Sequence, residues 1–131
     1  IVLLGESLGS GVAVEMAAVL GRAGTPAKAL ILEAPYTSTT DVAAAAYWYL
    51  PVRWLMKDKF DSLAKIAEIG TSLLVIHGER DRIIPVALGQ RLFATALEPR
   101  RGVFIPNAGH NDLASHGSDR HILEFLATLQ N

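Results

Sequence analysis

The chain has 131 residues, half of them hydrophobic and 19% charged, with a net charge of −1. That length suits one domain with its own core and is too short for two. The even charge, with no block of one sign, argues against nucleic acid or an anionic membrane surface as partner, and the absence of cysteine excludes disulfides, thiol nucleophiles and cysteine-bound zinc.

In chain order, the apolar run Ile1 to Leu4 predicts a buried strand that ends in Gly5-Glu6-Ser7-Leu8-Gly9. A helix is expected over about residues 10–22, carrying Val12, Val14, Met16, Ala17, Ala18, Val19 and Leu20. It is apolar almost all round, which predicts burial. Residues 29–32 form a second strand, followed by Glu33-Ala34-Pro35-Tyr36-Thr37-Ser38. The stretch of about 38–66 reads as an irregular helical excursion: a helix over Val42 to Leu50, a break at Pro51, and a second short helix over Arg53 to Lys59. Tyr47, Trp48, Tyr49, Trp54 and Phe60 sit in it, either lining a pocket or simply packing the excursion onto a sheet. The simpler packing is the favoured reading.

A third strand, 73–76, ends in His77-Gly78-Glu79-Arg80-Asp81, and a helix is expected over 86–97. The fourth, 102–105, ends in Pro106-Asn107-Ala108-Gly109-His110-Asn111-Asp112, before a helix over about 117–129. Strands alternating with helices imply an α/β fold with a mostly parallel sheet. Solidly apolar strands are expected where helices cover both faces.

The segment around Ser7 is a G-x-S-x-G motif. Alone it is weak, since chance places one in roughly 4% of chains this long at ordinary residue usage. Its context strengthens it: a strand before, a helix after, and the serine at the tip of a sharp turn. The flanking Gly5 and Gly9 are expected because a Cβ would clash there. Asp81 and His110 each follow the end of another strand, giving the order Ser, Asp, His. In a parallel sheet all carboxyl ends share one edge, so the three loops can converge.

Plainer readings compete with each residue. Ser7 could be a helix cap, although Ser10 and Ser38 fit that task better. Asp81 could merely shape a turn before Pro85, and Glu79 and Asp112 compete for its place. Asp112 is expected to hydrogen-bond its own turn. His77 reads as a buried structural histidine, and His116 and His121 as surface residues. Arg80 and Arg82 stay unassigned. A metal site drawn from His77, Asp81 and His110 has no known ligand spacing behind it, so no metal and no cofactor are expected.

Through GESLG at Ser7, HGERD-RIIP at Asp81 and AGHND at His110, the chain resembles the alpha/beta-hydrolase superfamily in its C-terminal half. The run Glu33 to Ser38 resembles the serine aminopeptidase-like and small hydrolase-domain branch. The resemblance implies Ser7 as nucleophile, His110 as base, Asp81 as the acid that orients it, and the Leu8 N–H as one oxyanion-hole donor. It also implies a second donor in an earlier strand–helix loop outside this sequence. Residues 1–131 are then a partial domain, with a cap-like excursion at about 38–66 and the N-terminal strands of the fold absent.

The expected function is a serine hydrolase acting on a small-molecule acyl substrate, carboxylic esters or related compounds, impaired in a truncated chain. A peptidase or amidase is the alternative within enzymes. A catalytically silent fragment, or a noncatalytic binding module on the same fold, is the alternative outside them. An edge stripped of neighbours near Ile1 to Leu4 predicts self-association. No apolar stretch approaches the roughly 20 residues that span a bilayer. With no leader in this piece either, the cytoplasm is the favoured compartment.

Overall fold

Four short apolar runs pair into one parallel sheet: β1 (Val2–Glu6), β2 (Ala29–Glu33), β3 (Ser72–Gly78) and β4 (Arg100–Ile105). Their spatial order is β1-β2-β3-β4. The computed structural model describes residues 1–46 and 60–130. Within them lie five α-helices, α1 (Leu8–Arg22), α2 (Thr39–Ala46), α3 (Ser62–Ile66), α4 (Val86–Thr95) and α5 (Ser118–Thr128), and a 3-10 turn at Ala114–His116. The register sets Leu4 beside Ile31, Ile31 beside Leu74 and Leu74 beside Arg101.

Successive strand residues point to opposite faces, and over the central strands β2 and β3 both faces are covered. Leu30, Leu32, Leu73 and Val75 pack against Val14 and Ala17 of α1, Ile66 of α3 and Leu92 of α4. Ala29, Ile31, Leu74 and Ile76 pack against Ala108, Leu113 and Phe125 on the other side. A strand with no solvent face has no reason to alternate, so its sequence is a continuous apolar run. The strands run on past those runs to Glu6, Glu33 and Gly78, because the backbone ladder continues whatever side chain it carries.

The expected all-round burial of α1 does not hold. Val14, Ala17 and Ala18 are buried, but Val12, Met16 and Val19 are 54%, 45% and 42% exposed. A helix lying on one face of a sheet buries only the stripe that faces it, and residues 12, 16 and 19 fall on the opposite stripe. Ile1, Val2 and Leu4 of the β1 segment are also exposed: Val2 and Leu4 lie on the same face as their partners Ala29 and Ile31, but the cluster that covers that face does not reach β1.

The excursion after β2 starts as a capped helix. The Ser38 hydroxyl accepts the Asp41 N–H at 3.0 Å, as a serine at a helix start should. Asp61 caps α3 in the same way, accepting the Ala64 N–H at 3.2 Å. The expected break at Pro51, the helix over 53–59 and the aromatics Tyr47, Trp48, Tyr49 and Trp54 lie outside the described residues. Among the described residues, no helix is long and apolar enough to cross a membrane.

Candidate active site

The turn between β1 and α1 holds Ser7 at φ 52°, ψ −122°, a backbone conformation that L side chains rarely adopt. Such a residue costs about 1–3 kcal/mol and persists only where its surroundings over-determine it. Three hydrogen bonds do so. The Ser7 N–H donates to the Glu33 carbonyl at 2.9 Å, and the Ser7 carbonyl accepts the Ser10 N–H at 3.0 Å and the Ser10 hydroxyl at 2.7 Å. A Cβ on Gly5 would lie 2.7 Å from the Gly9 carbonyl oxygen and from Ser10 Cα, so only glycine lets strand and helix approach this closely. The same expectation fails at Gly9: a Cβ there meets nothing within 4 Å, because it projects outward from the first turn of α1.

Asp81 lies in the loop after β3 with its side chain fully buried. Its Oδ1 accepts the backbone N–H groups of Ile83 and Ile84 at 2.8 and 2.7 Å, an Asx-type turn. That leaves Oδ2 facing His110. The plain turn reading and the site reading therefore describe the two oxygens of one carboxylate.

His110 is carried by the loop after β4. Its Nδ1 is 2.7 Å from Asp81 Oδ2, and its Nε2 is 2.9 Å from Ser7 Oγ. Backbone bonds hold this loop against the one that carries Asp81: the Arg80 N–H donates to Ala108 and the Glu79 N–H to Ile105, each at 2.9 Å. Gly78 lies where the loops touch, and a Cβ there would come within 2.7 Å of the Ala108 carbonyl carbon. Asp112 secures its own turn by accepting the Gly109 N–H at 2.6 Å, with His116 Nε2 3.2 Å from its other oxygen. Glu79, Arg80 and Arg82 are exposed, and Glu79 and Arg80 contribute through their backbone N–H groups.

His77 lies beneath the arrangement, completely buried, with Nε2 donating to the Ile84 carbonyl at 2.8 Å and 3.4 Å from Asp81 Oδ2. Burial holds its basicity below the ordinary histidine value of 6.5. His121, in the first turn of α5, is half-buried rather than a surface residue, its Nδ1 shielded from solvent and 3.9 Å from Glu124. Beside His110 is a cavity of about 220 Å³ lined by Glu6, Glu33, Asn111, Leu113 and Ser118. Burial there pushes the Glu33 carboxyl up from the usual range, against a hydrogen bond from Ser118 that lowers it. A larger hollow of about 420 Å³, lined by Ala18, Arg22, Glu68 and Thr71 among others, lies at the amino ends of the strands. Ligands of parallel sheets bind at the opposite, carboxyl edge, which is where Ser7, Asp81 and His110 meet. Among the described residues, no three His, Asp or Glu side chains are placed to hold a metal ion.

Two contributors escape the sequence reading. Ser10, expected as a plain cap, is the third residue of α1 and donates its hydroxyl backwards to the Ser7 carbonyl. Its spacing of three from Ser7 was the available signal. The buried Tyr36 donates its hydroxyl to the Leu8 carbonyl at 3.0 Å across 28 residues, and no local pattern announces such a contact.

This sheet, with a serine on a strained strand-to-helix turn and with an acid and a histidine on neighbouring strand ends, defines a class. The sheet and the helices on it form part of the alpha/beta-hydrolase fold. It is 44% identical to an uncharacterized protein of Mycobacterium tuberculosis over 86% of this chain and 38% of that protein. It is 34% identical to the lysophosphatidylserine lipase ABHD12 of Danio rerio, over 73% of this chain and 28% of the relative. Among solved structures, acetyl xylan esterase 1 from Thermoanaerobacterium superposes with a TM-score of 0.73 at 17% identity, over 99% of this chain and 45% of that one. No protein-family model matches.

Proposed function

We propose that the protein is a serine hydrolase of carboxylic esters, with Ser7 as nucleophile, His110 as general base and acid, and Asp81 as the group that orients His110. The observation that carries this reading is the unbroken chain of contacts from Ser7 Oγ through the two nitrogens of His110 to Asp81 Oδ2, at 2.9 and 2.7 Å. An alcohol attacks a carbonyl at neutral pH only if a base takes its proton as the bond forms. His110 Nε2 is placed to take the Ser7 proton and to pass it to the departing alkoxide. Asp81 Oδ2 accepts the Nδ1–H, fixing the tautomer and stabilising the imidazolium. Its other oxygen is already held by two backbone donors, so the carboxylate cannot swing away.

The negative charge of the tetrahedral intermediate falls at the start of α1. The Leu8 N–H opens that helix with no carbonyl four residues back to receive it, and the helix dipole favours charge there. Water activated by His110 then releases the acyl group. Relatives and structural neighbours named as a lipase and an esterase support ester substrates, and esters have better leaving groups than amides.

The test is labelling of the full-length protein by a fluorophosphonate, which reacts with activated serines. Labelling that disappears in Ser7→Ala and in His110→Ala is the expected result. A full-length wild type that takes no label would overturn the proposal and leave a noncatalytic binding module on the same fold.

A further inference from the structure

We infer that Ser10 is a positioning residue for the oxyanion donor: its hydroxyl, bonded to the Ser7 carbonyl, orients and strengthens the Leu8 N–H. The inference rests on the reading of Ser7 as nucleophile. It starts from the fact that the Ser7 carbonyl and the Leu8 N–H belong to one peptide group. The group is planar, with its C=O and N–H pointing in opposite directions, so whatever fixes the oxygen also aims the hydrogen. Two donors fix that oxygen, the Ser10 N–H at 3.0 Å and the Ser10 hydroxyl at 2.7 Å.

The hydroxyl is not needed to satisfy the carbonyl, since the backbone N–H of the same residue already does so. Nor does it face solvent, because Ser10 is 1% exposed. What it adds is a second, shorter bond in a dry site. A hydrogen bond accepted at a carbonyl polarises the peptide and makes the N–H at its far end a stronger donor, by about 10–30% per bond. It also resists rotation of the peptide plane at the residue whose φ of 52° makes that plane the strained part of the turn. Oxyanion donors act by preorganisation, aimed where charge will develop. A donor free to tilt loses part of that advantage only in the transition state, so the cost should fall on kcat and spare KM.

The test compares Ser10→Ala, Ser10→Thr and Ser10→Cys with wild type in the full-length protein, after fluorophosphonate labelling of the wild type. Ser10→Ala is expected to lower kcat for a p-nitrophenyl ester about three- to tenfold, the scale of one net hydrogen bond, with KM within about twofold. Affinity for a boronic acid, which mimics the tetrahedral intermediate, should fall by the same factor as kcat. Ser10→Thr keeps the hydroxyl and should recover most of the rate. Should either variant melt below assay temperature, Ser10→Cys, with its weak S–H donor, should lie between alanine and wild type. A merely structural serine would not link kcat to boronate affinity. Unchanged kcat in Ser10→Ala, or a loss confined to KM, overturns the role of Ser10 alone. A wild type that takes no label overturns it together with the proposed function.

Discussion

Two histidines lie against the same carboxylate and have opposite surroundings. His110 sits in a surface loop, its side chain 12% exposed, with one nitrogen on the Asp81 carboxylate and the other on the Ser7 hydroxyl. His77 ends β3 with no exposure, one nitrogen on a backbone carbonyl and the other, Nδ1, buried with no partner among the described residues. Residue type and distance to Asp81 do not separate them strongly, at 2.7 and 3.4 Å. The second nitrogen does. In His110 it faces a hydroxyl, and in His77 it faces the Cα of Gly89. A nitrogen that faces a hydroxyl can take a proton from it, whereas a buried ring whose second nitrogen meets only backbone carbon reaches no reacting group and serves as a structural post.

Asp81→Asn breaks the comparison at the shared carboxylate. An asparagine can still accept from Ile83 and Ile84, so the turn should survive and the variant should melt close to wild type. The amide cannot hold His110 in the tautomer that leaves Nε2 free, and in the reference serine-protease triad this change costs about 10⁴ in kcat. Ester turnover should fall on that order while the backbone of the loop, followed by amide NMR shifts, stays in place. Turnover within about tenfold of wild type would separate Asp81 from the chemistry.

Gly89→Ala attacks the other histidine. A Cβ at this buried position of α4 would fall onto His77 Nδ1 and within 3.1 Å of two ring carbons. Overpacking of this kind costs about 1–3 kcal/mol, which should show as a lowered Tm. The matched control is Gly21→Ala near the end of α1, where a Cβ meets nothing within 4 Å. Gain of helix propensity there should stabilise by up to about 1 kcal/mol. Equal melting of the two variants would mean that His77 has room to move and is no post.

The strands and the residues at their carboxyl ends were legible for one physical reason. Burial on both faces makes the central strands β2 and β3 uninterrupted apolar runs, the edge strands carry shorter apolar runs, and in a parallel sheet the residue ending each run lies at one edge. Ser7, Asp81 and His110 could be placed together from that alone. The open stripe of α1 was not legible, because an apolar helix does not declare which side meets the sheet. Gly9 looked like the partner of Gly5, yet only Gly5 has backbone within clashing distance. Ser10 was visible as a serine near a helix start, but whether its hydroxyl accepts from the next turn or donates to the previous one is a rotamer choice. The Tyr36 contact with Leu8 depends on the whole sheet being assembled.

The mildest expected effect sharpens the contrast by pH. Burial depresses the proton affinity of His77, against weaker opposing pulls from the Ile84 carbonyl and the charge of Asp81. In the unfolded chain the same histidine binds a proton near pH 6.5. Below that value the unfolded state therefore holds more protons than the folded one, and stability must fall as pH falls. The contribution is complete above about pH 6.5 and is lost progressively as the pH drops towards the depressed folded value. His77→Gln, whose amide can still donate to Ile84, removes this titration and keeps the bond. Thermal melts at pH 7.5 and 5.5 should show wild type losing more Tm than His77→Gln over that interval. If both lose the same amount, His77 is already free to take a proton in the folded protein, and the distinction between the two histidines would rest on geometry alone.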